Sequence, residues 1–261
     1  MKTLREKYGE WALVTGASAG IGEAFARYLA RAGMDVILVA RRRERLEALA
    51  AHLTQQHGVQ ALAVPLDLTD AHFMEALTER VGDREVGVLV NNAGYGSTGR
   101  FLERDPAGEA DMVRVNCWAP VALTHHFVRP MVARRKGAIL FLSSVVAYQP
   151  TPFMTTYAAT KAFNLFLGEG LWYELRKYHI DVLALSPGTT ATEFHQVAHM
   201  ARGPVVASPE RVVETAMRAL GRKPSVVDGT INRLLAFAHR LLPRRTTLSL
   251  AGRIIGLFHA R

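Results

Sequence analysis

Short apolar runs alternate along the chain with longer segments in which apolar residues recur every three or four positions. The runs are nearly continuous in their apolar character, which is typical of strands covered on both faces of a sheet. They predict seven strands, at residues 11–15, 35–40, 60–64, 87–91, 138–143, 181–186 and 225–228. The segments of helical spacing predict helices between them, at residues 21–32, 44–57, 70–81 and 155–178.

Two pairs of residues mark the starts of further helices. Asp105-Pro106 and Ser208-Pro209 each combine an N-cap residue with a proline, which is favoured in the first helical turn. The helix that starts after Asp105 is predicted to run toward residue 135. It is also predicted to kink at Pro120, because an internal proline removes a backbone hydrogen bond.

The alternation of strands and helices predicts an α/β fold made of βαβ units. Parallel strands are joined by right-handed crossovers, so this many units favour a doubly wound sheet with helices on both faces. We therefore predict a single-domain, Rossmann-type doubly wound parallel sheet over residues 1–261, since no linker-like tract or internal repeat interrupts the order. Such sheets bind ligands beyond the carboxyl ends of their strands.

A glycine-rich loop, TGASAGIG, lies between the first predicted strand and the first predicted helix. Gly16 permits a tight turn, and Gly20 lets the backbone approach a pyrophosphate at the helix N-terminus. Gly22 allows the helix to pack closely on the sheet. This strand–turn–helix context indicates dinucleotide binding, and the alternative is an ordinary turn whose glycines serve packing. The other candidate cofactor contacts in the loop are Ser18, Ala19 and Ile21.

Three consecutive arginines, Arg41, Arg42 and Arg43, follow the second predicted strand. In NAD-selective folds an acidic residue about 20 positions beyond the glycine loop binds the ribose 2′-OH, and no such carboxylate is present here. Arginine binds phosphate through paired donors, so we predict NADP(H) in preference to NAD(H). Arg41 is the first candidate for the 2′-phosphate and Arg42 the second. The alternative is that the arginines only solvate the start of a helix.

Tyr157 and Lys161 lie four positions apart on a predicted helix and therefore share a face. A tyrosine with its ordinary pKa of about 10 is a poor base near neutrality. A neighbouring ammonium and the positive nicotinamide of an oxidised cofactor favour the phenolate and so lower that pKa. The pair therefore indicates proton transfer at Tyr157 while hydride moves, with an ordinary Tyr/Lys pair on a helix as the alternative.

Further motifs follow the glycine loop in a fixed order. They are NNAG at residues 91–94, Ser144 after the fifth predicted strand, YAATK at residues 157–161, and Pro187-Gly188 after the sixth predicted strand. With these motifs the sequence resembles the classical short-chain dehydrogenase/reductase family over residues 11 to about 195. The sequence after Phe194 matches no motif that would assign a substrate.

The resemblance implies a catalytic role for four residues. Tyr157 would be the general acid/base, and Lys161 would lower its pKa and bond the nicotinamide ribose. Ser144 would orient the substrate oxygen, the family spacing selecting it over Ser143. Asn116 would complete the family's tetrad and relay protons. The resemblance also implies cofactor contacts by Asp67, Leu68, Asn92, Ala93, Gly94, Pro187, Gly188, Thr189 and Thr192.

These features predict an NADP(H)-dependent oxidoreductase that interconverts a secondary alcohol and a ketone, with reduction of a lipid-like or otherwise apolar carbonyl compound favoured. A mostly apolar pocket is indicated by residues in predicted loops. They are Tyr95, Phe101, Tyr148, Phe153, Met154, Phe194 and Met200. One alternative is a non-catalytic dinucleotide-binding regulator or scaffold, although a pure binder needs no proton-transfer group. A related isomerase or lyase that uses the same cofactor is another.

The composition limits the kinds of site, the membrane segments and the location that are expected. Cys117 is the single cysteine, which excludes an internal disulfide and a cysteine-based metal site. His195 and His199 are spaced like metal ligands but lack a third ligand, so no metal is expected. The first ten residues lack an apolar core and no run of 18 apolar residues exists, so neither a signal peptide nor a transmembrane helix is expected. A cytoplasmic location is the expectation.

The formal net charge is +9, and part of the excess lies in residues 231–261, which hold six arginines and no acidic residue. Two apolar helices are predicted there, at 231–242 and 248–258, separated by Pro243. This basic apolar extension is interpreted first as a cover for the substrate pocket or an oligomer contact. Peripheral association with an anionic membrane is the second interpretation. Nucleic-acid binding is not expected, because no recognised motif accompanies the charge. The family resemblance implies a homodimer or homotetramer.

Overall fold

The computed structural model describes residues 3–194, 206–238 and 241–259. Its centre is one sheet of seven strands: β1 (Trp11–Thr15), β2 (Asp35–Ala40), β3 (Ala61–Pro65), β4 (Val86–Asn91), β5 (Gly137–Leu142), β6 (Ile180–Ser186) and β7 (Ser225–Val227). The strands pair in the order β3-β2-β1-β4-β5-β6-β7, and every pair is parallel. The predicted fold class is therefore confirmed, and each predicted strand lies within one residue of an observed one at both ends.

Ten α-helices surround the sheet in the described part of the chain. They are α1 (Leu4–Tyr8), α2 (Gly20–Arg31), α3 (Arg43–His57), α4 (Phe73–Val81), α5 (Pro106–Val113), α6 (Ala119–Arg134), α7 (Thr155–Leu175), α8 (Pro209–Ala219), α9 (Thr230–Ala238) and α10 (Arg244–His259). Asp105 accepts hydrogen bonds from two backbone N–H groups of α5, and Ser208 accepts one from Arg211, so both predicted N-caps are present.

Two apolar layers hold the helices against the sheet. On one face, α2, α3 and α8 pack on the strands, with Phe25 and Leu53 fully buried among them. On the other face, α4, α6 and α7 pack on the strands, with Phe73 and Leu123 at its centre. Because both faces are covered, the strands are apolar throughout, which is why their sequence pattern is continuous rather than alternating.

The helix predicted at 70–81 begins later, at Phe73. Two aspartates hold the preceding residues in turns through their own side chains. Asp67 Oδ1 accepts from the backbone N–H of Thr69 at 2.9 Å, and Asp70 Oδ1 accepts from that of His72 at 2.8 Å. Such local bonds compete with helical hydrogen bonds and delay the start of the helix. The helix predicted at 155–178 also ends earlier, at Leu175, and continues as a single 3-10 turn.

The predicted kink at Pro120 takes the form of a π-helical turn at Arg114–Trp118, which separates α5 from α6. Pro120 has no N–H to donate to the carbonyl of Asn116, one helical turn earlier. That carbonyl instead accepts a hydrogen bond from Asn164 Nδ2 of α7 at 2.8 Å. The irregularity therefore lies just before the proline and is stabilised from the neighbouring helix.

The two ends of the chain add helices outside the seven-strand pattern. A short helix, α1, precedes β1 and begins at a capping box between Thr3 and Glu6; this helix was not predicted from the sequence. At the other end α9 and α10 lie on either side of Pro243, as expected. Among the described residues, no helix has both the length and the apolar character needed to cross a bilayer.

Candidate active site

A cleft of about 440 Å³ opens at the carboxyl ends of the central strands. The strand order reverses between β1 and β4, so the connections after these strands diverge and leave a crevice. Most of the residues that the sequence singles out line this cleft. They are Gly16, Ser18, Ala19, Gly20, Ile21, Arg41, Arg42, Asp67, Leu68, Asn92, Ala93, Gly94, Ser144, Tyr157, Lys161, Pro187, Gly188, Thr189 and Thr192.

The glycine loop wraps one end of the cleft. Gly16 and Gly20 adopt positive φ values of +67° and +59°, and a Cβ on Gly16 would lie only 2.7 Å from Asn92 Nδ2. A Cβ on Gly22 would collide with the Gly16 carbonyl oxygen, so Gly22 serves close packing and does not line the cleft. No side chain caps the first turn of α2, which follows Ala19. Its free N–H groups and the helix dipole fit a pyrophosphate.

Thr15 and Asn92 fix this loop to the end of β4. The backbone N–H groups of Asn92 and Ala93 each donate to Thr15 Oγ1 at 3.0 Å. Asn92 Nδ2 donates in turn to the carbonyl of Thr15 at 2.8 Å. These bonds join the ends of the two strands at which the sheet order reverses, which keeps the loop in the open shape that a dinucleotide needs.

The arginines after β2 lie beside the glycine loop. Arg42 donates from Nε and Nη2 to Ser18 Oγ, at 3.1 and 3.0 Å. Arg41 is mostly exposed and lies 4.0 Å from Asp67. Arg43, which the sequence analysis names with them, does not line the cleft and pairs with Glu47 at 3.4 Å. Arg42 is therefore held more firmly at the glycine loop than Arg41, and which of the two contacts the 2′-phosphate stays a prediction.

Two residues beside these arginines were missed in the sequence analysis. Glu193 lines the cleft, and its carboxylate accepts from Arg42 Nη1 and Arg45 Nη1, each at 2.6 Å. The two arginines lower the pKa of the Glu193 carboxyl. Arg45 lies one helical turn beyond Arg42, on the same side of the helix. This spacing can be read from the sequence, so Arg45 could have been predicted to lie near Arg42. Glu193 carries no such signal, since it meets the arginines only across the fold.

Tyr157 and Lys161 lie on the first turns of α7, at the centre of the cleft. Both are buried, and Lys161 Nζ lies 5.7 Å from the centre of the Tyr157 ring. Lys161 Nζ donates to the carbonyl of Leu142 at 2.9 Å. Ser144 stands at the end of β5 and is hydrogen-bonded to the Tyr157 hydroxyl. Ser143 points elsewhere, since its hydroxyl donates to the carbonyl of Lys161 at 2.8 Å.

Burial acts on the acidity of both groups. It raises the pKa of Tyr157 above its ordinary value of 10, and the hydrogen bond from Ser144 only partly offsets this. Burial also lowers the pKa of Lys161 to about 8. Desolvation is therefore the larger cause that acts on Tyr157 in this structure, and the lowering of its pKa by Lys161 and an oxidised nicotinamide stays a prediction. A tyrosine held protonated is suited to donate a proton to a carbonyl oxygen.

Asn116 lies in the π-helical turn and is fully buried beside the cleft rather than in its lining. Its Nδ2 donates to the carbonyl of Tyr95 at 2.9 Å, and its Oδ1 accepts from the Tyr95 N–H at 3.2 Å. A Cβ on Gly94 would lie 3.0 Å from Asn116 Oδ1 and 3.3 Å from Lys161 Nζ. Asn116 and Lys161 thus approach the same glycine, and a side chain there would crowd both of them.

Apolar side chains surround the tyrosine on the side away from the glycine loop. Met112, Met154 and Tyr157 form a small buried cluster, against which Tyr95 and Phe194 pack. The Phe194 and Tyr157 ring centres are 5.4 Å apart. Of the other predicted pocket residues, Phe101 is largely exposed and Tyr148 packs in a separate cluster.

The C-terminal helix α10 reaches this apolar side. Its Ile255 packs against the cluster around Tyr157. Its Gly256 faces Phe153, since a Cβ there would lie 3.5 Å from that ring, and its Gly252 faces Pro152 in the same way. The helix therefore covers the loop that leads into α7, and its role as a cover for the substrate pocket stays a prediction.

Three predicted residues, His195, His199 and Met200, lie outside the described residues. Within residues 3–194, 206–238 and 241–259, no group of three or more histidine, cysteine, aspartate or glutamate side chains is placed to hold a metal ion.

Comparison with known proteins gives matches over most of the chain. The family model described as short chain dehydrogenase matches residues 10–202. A 7β-hydroxysteroid dehydrogenase of Clostridium sardiniense is 34% identical over 253 residues, which cover 96% of this chain and 97% of that protein. A very-long-chain 3-oxoacyl-CoA reductase of Anas platyrhynchos is 30% identical, over 93% of this chain and 78% of that protein.

The structural comparison agrees with these matches. A solved short-chain dehydrogenase from Sphingobium yanoikuyae in complex with NADPH has a TM-score of 0.81 and 34% identity to this chain. The match covers 95% of this chain and 94% of that one. The sheet and its flanking helices are therefore those of a known oxidoreductase architecture.

Proposed function

Since the chain belongs to the short-chain dehydrogenase family, we propose that it is an NADP(H)-dependent oxidoreductase that interconverts a bulky apolar ketone and the matching secondary alcohol. One observation carries this proposal. Ser144, Tyr157 and Lys161 meet in a single cleft with the glycine loop. A dinucleotide-binding regulator or scaffold has no use for a buried tyrosine that is hydrogen-bonded to a serine beside a buried lysine.

Each residue of the site has its own role in the proposed reduction of the ketone. Bound NADPH supplies the hydride to the carbonyl carbon. Ser144 donates a hydrogen bond to the carbonyl oxygen and orients it, while Tyr157 donates its proton to the same oxygen. Lys161 carries a proton below pH of about 8 and replaces the one that Tyr157 loses. Asn116 Oδ1 and Lys161 Nζ both lie beside Gly94, and we assign Asn116 to the relay by which that proton is replaced.

The cofactor preference rests on the charge around the adenosine end of the cleft. Arg42 is fixed at the glycine loop, Arg41 lies beside it, and Arg45 adds a third guanidinium. No carboxylate follows β2 in the place where an NAD-selective site needs one. A 2′-phosphate would meet paired donors here, whereas a 2′-OH would meet excess positive charge. This supports NADP(H) over NAD(H).

The substrate class rests on the apolar cluster beside Tyr157. Met154 and Phe194 give that side of the cleft hydrocarbon surface, and Met112 and Ile255 pack in the same cluster behind them. The relatives include a hydroxysteroid dehydrogenase and a very-long-chain 3-oxoacyl-CoA reductase, both named for substrates with large apolar parts. Burying such a group contributes about 25 cal/mol per Å² of apolar surface, so a large ketone gains more than a small one.

A rate comparison tests the substrate class. We expect NADPH oxidation to be at least about tenfold faster, in kcat/KM, with a steroid ketone or a long-chain 3-oxoacyl thioester than with a short sugar ketone, since two buried methylenes already contribute about 1.6 kcal/mol. The decrease in NADPH absorbance measures each rate. A higher kcat/KM for the sugar would contradict an apolar pocket.

We also propose that the outer face of the C-terminal extension lies on an anionic membrane surface. Ile231, Leu234 and Leu235 of α9 are 60%, 69% and 64% exposed, which is unusual for three neighbouring large apolar residues. Exposed arginines accompany them, and residues 229–261 contain no acidic residue. Apolar surface combined with positive charge is the pattern that binds anionic lipid.

Vesicle flotation tests this second proposal. We expect the protein to float with vesicles that contain phosphatidylserine and to stay behind with neutral vesicles. Leu234→Asp should reduce flotation about tenfold, because a carboxylate at the lipid surface is repelled. Leu102→Asp is the control, since Leu102 is 97% exposed on a turn that lies outside the C-terminal extension in sequence. Equal flotation of both variants would contradict the proposal, and a dimer that dissociates on Leu234→Asp would assign the face to a second copy.

A further inference from the structure

The connection after β6 crosses the cleft and contacts the arginines that follow β2. Glu193 belongs to this connection and lies 148 and 151 positions from Arg45 and Arg42. Its two carboxylate oxygens are divided between them, Oε2 to Arg42 and Oε1 to Arg45, each at 2.6 Å. One carboxylate thus joins two arginines that come from the opposite wall of the cleft.

The carboxylate occupies a position built for an anion. Arg42 directs Nε and Nη2 at Ser18 of the glycine loop and Nη1 at Glu193, so its whole fork faces this corner. Arginine forks bind carboxylates and phosphates with the same paired geometry. The donors that Glu193 satisfies are therefore donors that a ribose 2′-phosphate would use.

The ion pairs of Glu193 with Arg42 and Arg45 are exposed enough for another anion to replace the carboxylate. The side chains of Glu193, Arg42 and Arg45 are 41%, 43% and 51% exposed. Ion pairs with this exposure contribute little to stability and are screened by salt. A phosphate group with more charge and a third oxygen can replace the carboxylate without cost to the fold.

We propose that Glu193 is an internal competitor for the 2′-phosphate of NADP(H), and that it sets how strongly this enzyme prefers NADP(H) over NAD(H). The inference rests on the proposed cofactor. Binding of NADPH must first separate Glu193 from Arg42 and Arg45, whereas binding of NADH leaves the ion pairs in place. The carboxylate therefore weakens NADPH selectively and moderates the preference that the arginines create.

The same displacement reaches the catalytic tyrosine along the chain. Thr192, before Glu193, packs on the glycine loop, since a Cβ on Gly20 would lie 2.8 Å from its methyl group. Phe194, after Glu193, packs on Tyr157 at 5.4 Å between ring centres. Release of Glu193 by the 2′-phosphate thus acts on a segment that contacts both the pyrophosphate end and the substrate end of the cleft.

Binding measurements on Glu193→Gln test the proposal. Glutamine keeps the size of the side chain and removes the charge that competes with phosphate. We expect NADPH to bind about three- to tenfold more tightly than to the wild type, with NADH unchanged or slightly weaker, which is the range for exposed ion pairs. Fluorescence titration of each reduced nucleotide gives the two dissociation constants. The gain for NADPH should shrink as salt is raised.

Glu47→Gln is the matched control. It makes the same change in charge on α3, the helix of Arg45, but Glu47 pairs with Arg43 outside the cleft. Its NADPH affinity should stay at the wild-type value. Adenosine 2′,5′-bisphosphate and adenosine 5′-monophosphate repeat the comparison without the nicotinamide, which removes any effect of Phe194 on that half of the cofactor.

The outcomes separate the inference from the cofactor proposal. A wild type that prefers NADPH, with the same preference in Glu193→Gln, overturns the role of Glu193 and leaves the cofactor proposal standing. An equal gain in NADPH affinity in Glu47→Gln also overturns it, since the effect then comes from the net charge of the protein. Equal changes in the affinities for NADPH and NADH overturn it too, since the effect then comes from the position of the loop. A wild type and variant that both bind NADPH no more tightly than NADH overturn the cofactor proposal itself.

Discussion

Replacing Tyr157 by phenylalanine is expected to lower kcat by about 10²- to 10⁴-fold, the range typical of a lost general acid. The hydroxyl is the proton donor to the carbonyl oxygen and is already hydrogen-bonded to Ser144. Tyr157 is buried, and burial holds its pKa above 10, so the protonated form is present over the whole neutral range. The loss should therefore change little with pH between about 6 and 7, where Lys161 also keeps its proton. Steady-state NADPH oxidation with a verified ketone measures it.

Two checks distinguish this loss of chemistry from a loss of structure. Phenylalanine fills the same buried volume, so NADPH affinity and thermal stability should stay close to those of the wild type. Tyr173→Phe is the matched control, because Tyr173 lies on the same helix with 64% of its surface exposed. A Tyr157→Phe enzyme that turns over as fast as the wild type would rule out tyrosine as the proton donor.

Replacing Arg42 by alanine should weaken NADPH binding by about 10- to 100-fold and NADH binding far less. Hydrogen bonds to charged groups contribute about 1.5–3 kcal/mol each, which corresponds to that range. Arg42 is the best placed of the arginines, because two of its nitrogens are fixed on Ser18 beside the pyrophosphate end. Titration of the two reduced nucleotides gives both affinities.

Arg43→Ala is the natural control for this prediction. Arg43 is the next residue, has the same charge and pairs with Glu47 away from the cleft, so its loss should leave both affinities nearly unchanged. An equal loss of NADPH and NADH affinity in Arg42→Ala would mean that Arg42 only positions the glycine loop. The 2′-phosphate contact would then have to be sought at Arg41 or Arg45.

A structural feature can be predicted from the sequence where neighbouring residues alone determine it. Strand limits could be predicted to within one residue because a strand covered on both faces is apolar from end to end. The glycine loop could be identified because Gly16 and Gly20 need positive φ values, which few other residues adopt. The N-caps at Asp105 and Ser208 are local for the same reason.

Contacts between distant parts of the chain could not be predicted in this way. The partner of the Asn116 carbonyl is Asn164, 48 positions later, and only the packing of α7 on the π-helical turn brings them together. The pairing of Glu193 with Arg42 and Arg45 is of the same kind. The direction in which the Tyr157 pKa shifts also depends on burial. Burial is a property of the whole fold and cannot be predicted from the spacing of residues.

The central claim is that the cleft transfers hydride from NADPH to a ketone, with the proton supplied by Tyr157. Deuterium carried at the reactive position of the nicotinamide tests it most directly, with mass spectrometry of the product formed from an apolar ketone. The account predicts one deuterium on the new carbinol carbon with the wild type, and a yield lowered in step with kcat in Tyr157→Phe. The contrary result is tight NADPH binding without deuterium transfer to a steroid ketone, a long-chain 3-oxoacyl thioester or a short sugar ketone. That result would contradict the account and would favour a dinucleotide-binding regulator.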